Sequence, residues 1–375
     1  MRVVALIVRA GAVVALSVFV VSLLVRGVEQ PAAEPRAVET IQRPTTPPAV
    51  RRVPSIPPTP VPITITATGD IAFGSVPDLP PDGGRTFFGD VQADLSGDVV
   101  LGNLEGTLAE RGVSTCPPGG ADCRAFRVPP SYAARLADAG FTVLSLANDH
   151  AFDFGEAGLR ETVDALAGAG VGHTGRPGQV SVQPVGSVDV ALVGFAPYAW
   201  TASLTDIASA KRLVRRAART ADIVVVAMHG GAEGVDRQHV SPGNERYLGQ
   251  NRGNVVRFAH AVVDAGADLV VGHGPRVLRG MEWYKRRLIA YSLGTLGGYE
   301  VVPRGGPLSV GAILRVTLSS DGSFETGRLV PTRLAGAGLP ALDPAETAHA
   351  VVRELSREDF GARGVTISAD GILRR

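Results

Sequence analysis

From residue 63 onward, short apolar runs alternate with helical patterns, and run after run ends in polar residues. Residues 63–68 (Ile-Thr-Ile-Thr-Ala-Thr) alternate as a strand does and lead into Gly69-Asp70. Residues 98–101 predict a short strand entering Gly102-Asn103-Leu104-Glu105, and 142–146 predict another ahead of Ala147-Asn148-Asp149-His150. Residues 188–195 and 269–273 predict further strands, and 223–229 is a nearly continuous apolar run, as expected of a strand buried on both faces. Between them, 131–140, 156–170, 206–220 and 254–265 predict helices, the first ending at a glycine. A strand at 288–293 ends in Gly294-Thr295, and 310–318 with 324–330 predict a hairpin across Ser320-Asp321-Gly322, ahead of a last helix at 344–357. Strands alternating with helices, then antiparallel strands, predict an α/β sandwich with mixed sheets flanked by helices. No repeat at a solenoid period is present.

Upstream the pattern changes. Arg2 and Arg9 precede an uncharged apolar run, residues 10–25, closed by Arg26. Residues 1–30 therefore read as a signal peptide or signal anchor. An anchor is the expectation, because Ala32-Ala33 does not complete a cleavage site; cleavage would make the protein secreted. The positive flank places the N-terminus in the cytoplasm and the remainder outside a single-pass membrane segment. Residues 31–62 hold ten of the 27 prolines, a composition that favours a semi-rigid extended linker over a core. The expected organisation is thus a leader at 1–30, a Pro-rich linker at 31–62, a globular domain at 63–335 and a C-terminal helical extension at 336–375. Cys116 and Cys123 bracket a turn-rich Pro-Pro-Gly-Gly-Ala-Asp loop and predict a disulfide in an oxidising compartment. Closing so small a ring stabilises by about 2.5 kcal/mol in the chain-entropy account. A metal pair would need further cysteine or histidine nearby, and none is there.

Charge narrows the function. A formal net charge of +1 leaves no basic field for nucleic acid. The chain also lacks a G-x-S-x-G elbow and any Walker motif.

The polar groups at the strand ends form one set: Asp70, Asn103, Glu105, Asn148, Asp149, His150, His229, Glu233 and His273. Polar side chains at the carboxyl ends of buried strands are where open α/β sheets bind ligands. Carboxylates, amides and imidazoles are ligands for divalent ions such as Mn²⁺, Zn²⁺ or Fe²⁺. Taken singly, each has a plainer reading. Asp70 would be a helix cap, His229 and His273 core or loop histidines, and Glu233 a turn cap. The joint pattern favours a site.

The order of these motifs resembles the CapA family of capsule or poly-γ-glutamate synthesis proteins. The resemblance rests on Thr68-Gly-Asp-Ile71, Asn103-Leu-Glu105, Ala147-Asn-Asp-His150 with Asp153-Phe-Gly155, His229-Gly-Gly-Ala-Glu233, Gly266-Ala-Asp-Leu-Val-Val-Gly-His273 and Ala290-Tyr-Ser-Leu-Gly294. It implies a fold similar to the calcineurin-like metallophosphoesterases. It further implies a divalent metal site at Asp70, Glu105, Asp149, His229 and His273, with His150 assisting as general acid or electrostatic stabiliser. Asn103, Asn148, Glu233 and Arg276 are then the candidate substrate-facing residues. The implied role is tethered, extracellular support of the biosynthesis or export of poly-γ-glutamate or a similar anionic polymer, alongside a membrane-bound synthesis complex. Two alternatives stay open: a non-catalytic polymer-binding scaffold, and a phosphoesterase on an unrelated substrate. Three positions depart from the family's usual pattern: Asp149 replaces an asparagine, Arg276 a histidine and Thr295 an asparagine. Arginine cannot ligate a metal, but its planar fork suits a carboxylate or phosphate.

Overall fold

The computed structural model describes residues 61–117 and 123–375. The leader at 1–30 and all but the last two residues of the 31–62 linker lie outside the described residues. Among the described residues, no helix is long and apolar enough to cross a membrane.

Two β-sheets pack face to face. The first runs, in spatial order, Leu339–Leu342, Phe324–Ala335, Val310–Leu318, Ile63–Ala72, Val99–Leu104, Val143–Ser145 and Gly172–Thr174. Thr295–Gly298 also pairs with Ile63–Ala72, in parallel. The second sheet runs Met281–Tyr284, Arg287–Ala290, Leu269–His273, Ile223–His229, Val188–Phe195 and Ser181–Val185. In the first sheet the strands from Ile63–Ala72 to Gly172–Thr174 are parallel and the three on the other side are antiparallel; in the second the four central strands are parallel and the two edge strands antiparallel.

The apolar runs explain the layers. In Ile223–His229, Ile223, Val225 and Ala227 face the inter-sheet core, while Val224, Val226 and Met228 face an outer layer. Ile63, Ile65, Ala67, Val99 and Leu101 fill the inter-sheet core from the first sheet. On that sheet's outer face, helices α1 (Ala133–Ala139) and α2 (Gly155–Gly168) pack Leu136, Leu159 and Leu166 against Val100, Leu104 and Leu144. On the other outer face, α3 (Ile207–Ala217) and α4 (Val255–Val263) pack Val214, Phe258 and Val262 against Val224 and Val270. The fold is therefore helix, sheet, sheet, helix, with each fully buried large apolar side chain contributing about 1.5–3 kcal/mol. The mixed α/β class expected from the pattern is observed.

Several details differ from the sequence expectations. The last helix, α5 (Thr347–Phe360), starts three residues later than predicted. Asp343 Oδ2 accepts from Thr347 N at 2.9 Å and Oδ1 from Ala345 N at 3.1 Å, so the intervening residues form a capped turn. Residues 336–375 carry α5 with short strands, lend Ala348, Val352, Ile367 and Leu373 to the inter-sheet core, and belong to the same compact unit as the rest. The glycine-rich stretch after Gly294, for which the apolar pattern predicts no strand, includes the strand Thr295–Gly298. Cys116 and Cys123 are disulfide-bonded, with Cα atoms 5.5 Å apart.

Candidate metal centre

The carboxyl ends of the central strands of both sheets meet at one place. Asp70 lies near the end of Ile63–Ala72, Asn103 near the end of Val99–Leu104, and Glu105 just beyond it. The turn after Val143–Ser145 supplies Asn148, Asp149 and His150. From the second sheet, His229 and His273 end neighbouring parallel strands in register. The convergence depends on Gly69: a Cβ there would lie 2.3 Å from Gly294 O, so only glycine allows the backbones to approach. The approach lets Asp70 N donate to Gly294 O at 3.0 Å. Asp70 caps no helix; it sits within a strand, and its Oδ1 accepts from Asn103 Nδ2 at 2.8 Å.

The amide of Asn103 also donates to Glu105 Oε1, at 2.5 Å. The other two oxygens, Asp70 Oδ2 and Glu105 Oε2, are buried with no hydrogen-bond donor among the described residues. His229 Nδ1 stands 3.1 Å from Glu105 Oε1. One ligand atom from each of Asp70, Glu105 and His229 falls within 4.8 Å of the others. A cavity of about 10 Å³ opens here, lined by Asp70, Glu105, Phe126, Arg276 and Thr295 among others. That is room for about one water-sized sphere. Two buried carboxylate oxygens without donors, beside an imidazole and a one-atom cavity, fit a divalent ion with oxygen and nitrogen ligands. When bound, such an ion would offset the carboxylate charges and polarise a substrate oxygen.

The charges reinforce this. Burial, and then the neighbouring Glu105 charge, push the Asp70 carboxyl up to about 7. Burial works against charge on Glu105 as well, but His229 holds its carboxyl below the usual range. Burial also disfavours charge on His229, yet the Glu105 and Asp149 carboxylates outweigh it and push the ring up to about 10. Arg252 Nη2, 3.0 Å from His229 Nε2, opposes that shift from the other side of the ring. Burial opposes the charged form of Asp70, Glu105 and His229, and only Glu105 and His229 have a close opposite charge that outweighs it.

Around this pocket lies a shell of fixed side chains. Arg252 is 1% exposed; its Nη2 reaches Glu233 Oε1 at 3.1 Å, Nε donates to Gly231 O at 3.1 Å, and Nη1 donates to the Tyr198 hydroxyl at 2.5 Å. Arg276 Nε pairs with Glu233 Oε2 at 3.2 Å, and its Nη2 lies 2.9 Å from His150 Nε2. His150 Nδ1 is 2.9 Å from Asp153 Oδ2, which also accepts from Phe126 N, and the ring stacks on Phe126 at 4.2 Å. Despite burial, Asp149 and Asp153 raise the His150 ring above its ordinary value. Trp200 stacks between Phe152 and Tyr198, at 4.9 and 5.1 Å, and donates to Asn148 O at 3.0 Å.

The structure brings Asp70, Glu105, Asp149, His150, His229 and Glu233 into three overlapping groups of possible ligands. His273 belongs to none of them. Its Nε2 contacts Thr68 O at 2.9 Å, its Nδ1 has no partner among the described residues, and burial lowers the ring to about 4, keeping it neutral. Asn103 and Asn148 act as struts, since Asn148 Nδ2 donates to Asn103 Oδ1 at 3.0 Å and to Leu104 O at 2.9 Å. Thr295 Oγ1 donates to the Arg276 carbonyl at 3.4 Å. Sequence reasoning missed Arg252, which sits in a short polar ribbon, Gln250–Gly253, with no periodic signal. It missed the pairing of Asp153 with His150 too, although their spacing of three residues was visible.

Residues 64–296 match the family described as "Bacterial capsule synthesis protein PGA_cap". The "PGA biosynthesis protein CapA" of Bacillus subtilis (strain 168) is 34% identical over 176 residues, 42% of this chain and 43% of that protein. A Mycobacterium tuberculosis protein named "Probable polyglutamine synthesis accessory protein" is 30% identical over 309 residues, 72% of this chain and 75% of its own length. The matched stretch thus spans less than half of the Bacillus protein but three quarters of the mycobacterial one. Among solved structures, a 5'-nucleotidase precursor from Thermus thermophilus aligns over 80% of this chain and 59% of its own, with TM-score 0.39 and 17% identity. The match over 64–296, taken with the mycobacterial relative, establishes that the chain belongs to the bacterial capsule synthesis protein PGA_cap family.

Proposed function

We propose that this protein supports the assembly or export of poly-γ-glutamate or a similar anionic polymer, held outside the cell by its N-terminal segment. Its centre binds a divalent cation at Asp70, Glu105 and His229 and receives an anionic group of the polymer beside Arg276. One observation carries the reading: buried carboxylate oxygens without donors lie in the same cavity as a partly exposed guanidinium. A site that holds a cation and a fixed arginine side by side suits a polymer bearing carboxylates. The test is binding of purified full-length protein to poly-γ-glutamate, with Mn²⁺ and after chelation. Binding that needs the metal and weakens with salt is expected; binding indifferent to chelation would overturn the proposal.

A second reading, metal-dependent hydrolysis or group transfer, is favoured by the His150–Asp153 pair at 2.9 Å, which turns the other imidazole nitrogen to Arg276, a cavity-lining residue. In this arrangement Arg276 donates to that nitrogen, so His150 gives up no proton until Arg276 moves aside. Shortening of the polymer on incubation with the Mn²⁺-loaded protein, absent in His150→Ala, would favour this reading over binding alone.

A further inference from the structure

We infer that this centre takes a single divalent cation, and that the guanidinium groups of Arg252 and Arg276 fill the place a second one would need. The inference deepens the functional reading above and rests on it for the presence of a metal. Three groups of possible ligands overlap, and only the first, Asp70 with Glu105 and His229, has no basic side chain inserted between its members. The second, Asp149 with His229 and Glu233, already surrounds Arg252. Its Nη2 lies 3.0 Å from His229 Nε2 and 3.1 Å from Glu233 Oε1, and its Nη1 lies 3.7 Å from Asp149 Oδ2. The third, Glu105 with Asp149 and His150, is closed by Arg276, whose Nη2 contacts His150 Nε2 at 2.9 Å.

Neither arginine can simply leave. Arg252 is 1% exposed, and each of its three nitrogens has an oxygen acceptor or carboxylate partner: Gly231 O, the Tyr198 hydroxyl, and Gly274 O with Glu233. Arg276 is anchored to Glu233 and takes a left-handed backbone conformation, φ 60°, that a non-glycine residue holds only where its surroundings demand it. Two fixed guanidinium charges supply what one divalent ion would, and a second ion set among them would meet like charge at contact distance. The space agrees: the cavity at Asp70 and Glu105 admits about one atom-sized guest.

The two arginines differ in one respect. Arg276 keeps about a fifth of its side chain exposed, and its Nη1 is engaged by no protein group among the described residues. Arg252 is the locked cation, and Arg276 is the one with an edge left for an incoming anion.

The test is metal stoichiometry and the electron paramagnetic resonance of full-length protein loaded with excess Mn²⁺ and desalted. One ion per chain with the hyperfine pattern of an isolated Mn²⁺ is expected. Two ions, or an exchange-coupled spectrum, would overturn the inference and leave polymer binding untouched. No ion at all would overturn both it and the metal part of the proposed function. The double variant Arg252→Met, Arg276→His removes both charges and adds an imidazole, so the count should rise from one to two. A folded double variant that still holds one ion would also count against the inference. If that variant does not fold, the wild-type spectrum decides alone, with Glu233→Gln expected to retain one ion and Asp70→Asn to lose it.

Discussion

Two buried arginine–glutamate clusters lie a few residues apart in the chain, and they are finished to different degrees. In the first, Arg279 donates to Glu245 Oε1 at 2.9 Å and Oε2 at 2.7 Å, to Arg237 O at 2.8 Å and to Ala232 O at 3.2 Å. Glu245 also accepts from Ala232 N at 2.8 Å. Every guanidinium nitrogen has an acceptor, and the pair clamps the loop between His229 and the Gln250–Gly253 ribbon. In the second, Arg252 and Arg276 share Glu233, yet both also point nitrogens at histidines, and next to them Asp70 Oδ2 and Glu105 Oε2 have no donor among the described residues. Burial of charge is common to both clusters. What separates them is unfinished valence: the first is satisfied by protein atoms, and the second leaves two buried carboxylate oxygens without a donor among the described residues.

The largest effect should come from breaking the closed cluster. Arg279→Ala leaves Glu245 buried and unpaired, so stability should fall by about 3–5 kcal/mol in urea denaturation. The metal count of whatever remains folded should be unchanged. Loss of metal without loss of stability would mean that the clamp belongs to the site after all.

Next comes the open cluster. Asp70→Asn removes one ligand and should weaken Mn²⁺ binding by about 100-fold, roughly 2.8 kcal/mol, in calorimetric titration. Its effect on the metal-free fold has the opposite sign. The Asp70 carboxyl is raised from its ordinary 3.8 to about 7, so its contribution is fully present below about 3.8 and is lost as pH rises through 7. Metal-free Asp70→Asn should therefore outlast metal-free wild type at pH 8. A variant less stable than wild type there would make Asp70 a structural residue like Glu245.

The contrast also shows which parts of the molecule are legible from sequence. Strands such as Ile223–His229 announce themselves because both faces are buried, and the residues that end them are polar because they enter the cavity where the sheets meet. Helices α3 and α4 begin where Asp206 and Asn254 accept from Ser209 N and Arg257 N, a local signal. Arg252 gave no such signal. Its position depends on Gly231, Tyr198, His229 and Glu233 converging from other segments, and convergence leaves no mark on a polar loop. The same holds for the Thr295–Gly298 strand, whose glycines read as loop until Gly297 is seen packed against Phe87, where a Cβ would come within 2.7 Å. The struts Asn103 and Asn148 were visible as residues but not as struts, since which hydrogen bonds an amide makes is decided by tertiary contacts.

The smallest effect discriminates most finely, because it asks how many protons the open cluster gives up when it is completed. A ligand must lose its proton to bind a metal. In the metal-free protein Asp70 holds its proton up to about pH 7 and His229 up to about pH 10. Below pH 7 both protons would be displaced, and between 7 and 10 only that of His229. From pH 7 to 8, Mn²⁺ affinity should therefore still rise about tenfold, with close to one proton released per ion in buffers of differing ionisation enthalpy. A flat profile above pH 7 would mean that Arg252, 3.0 Å from His229 Nε2, already keeps that ring neutral and prevails over the Glu105 and Asp149 carboxylates. The same measurement in Glu105→Gln removes the carboxylate that most favours the charged ring, so a profile that rises above pH 7 in the wild type should flatten nearer neutral pH in the variant.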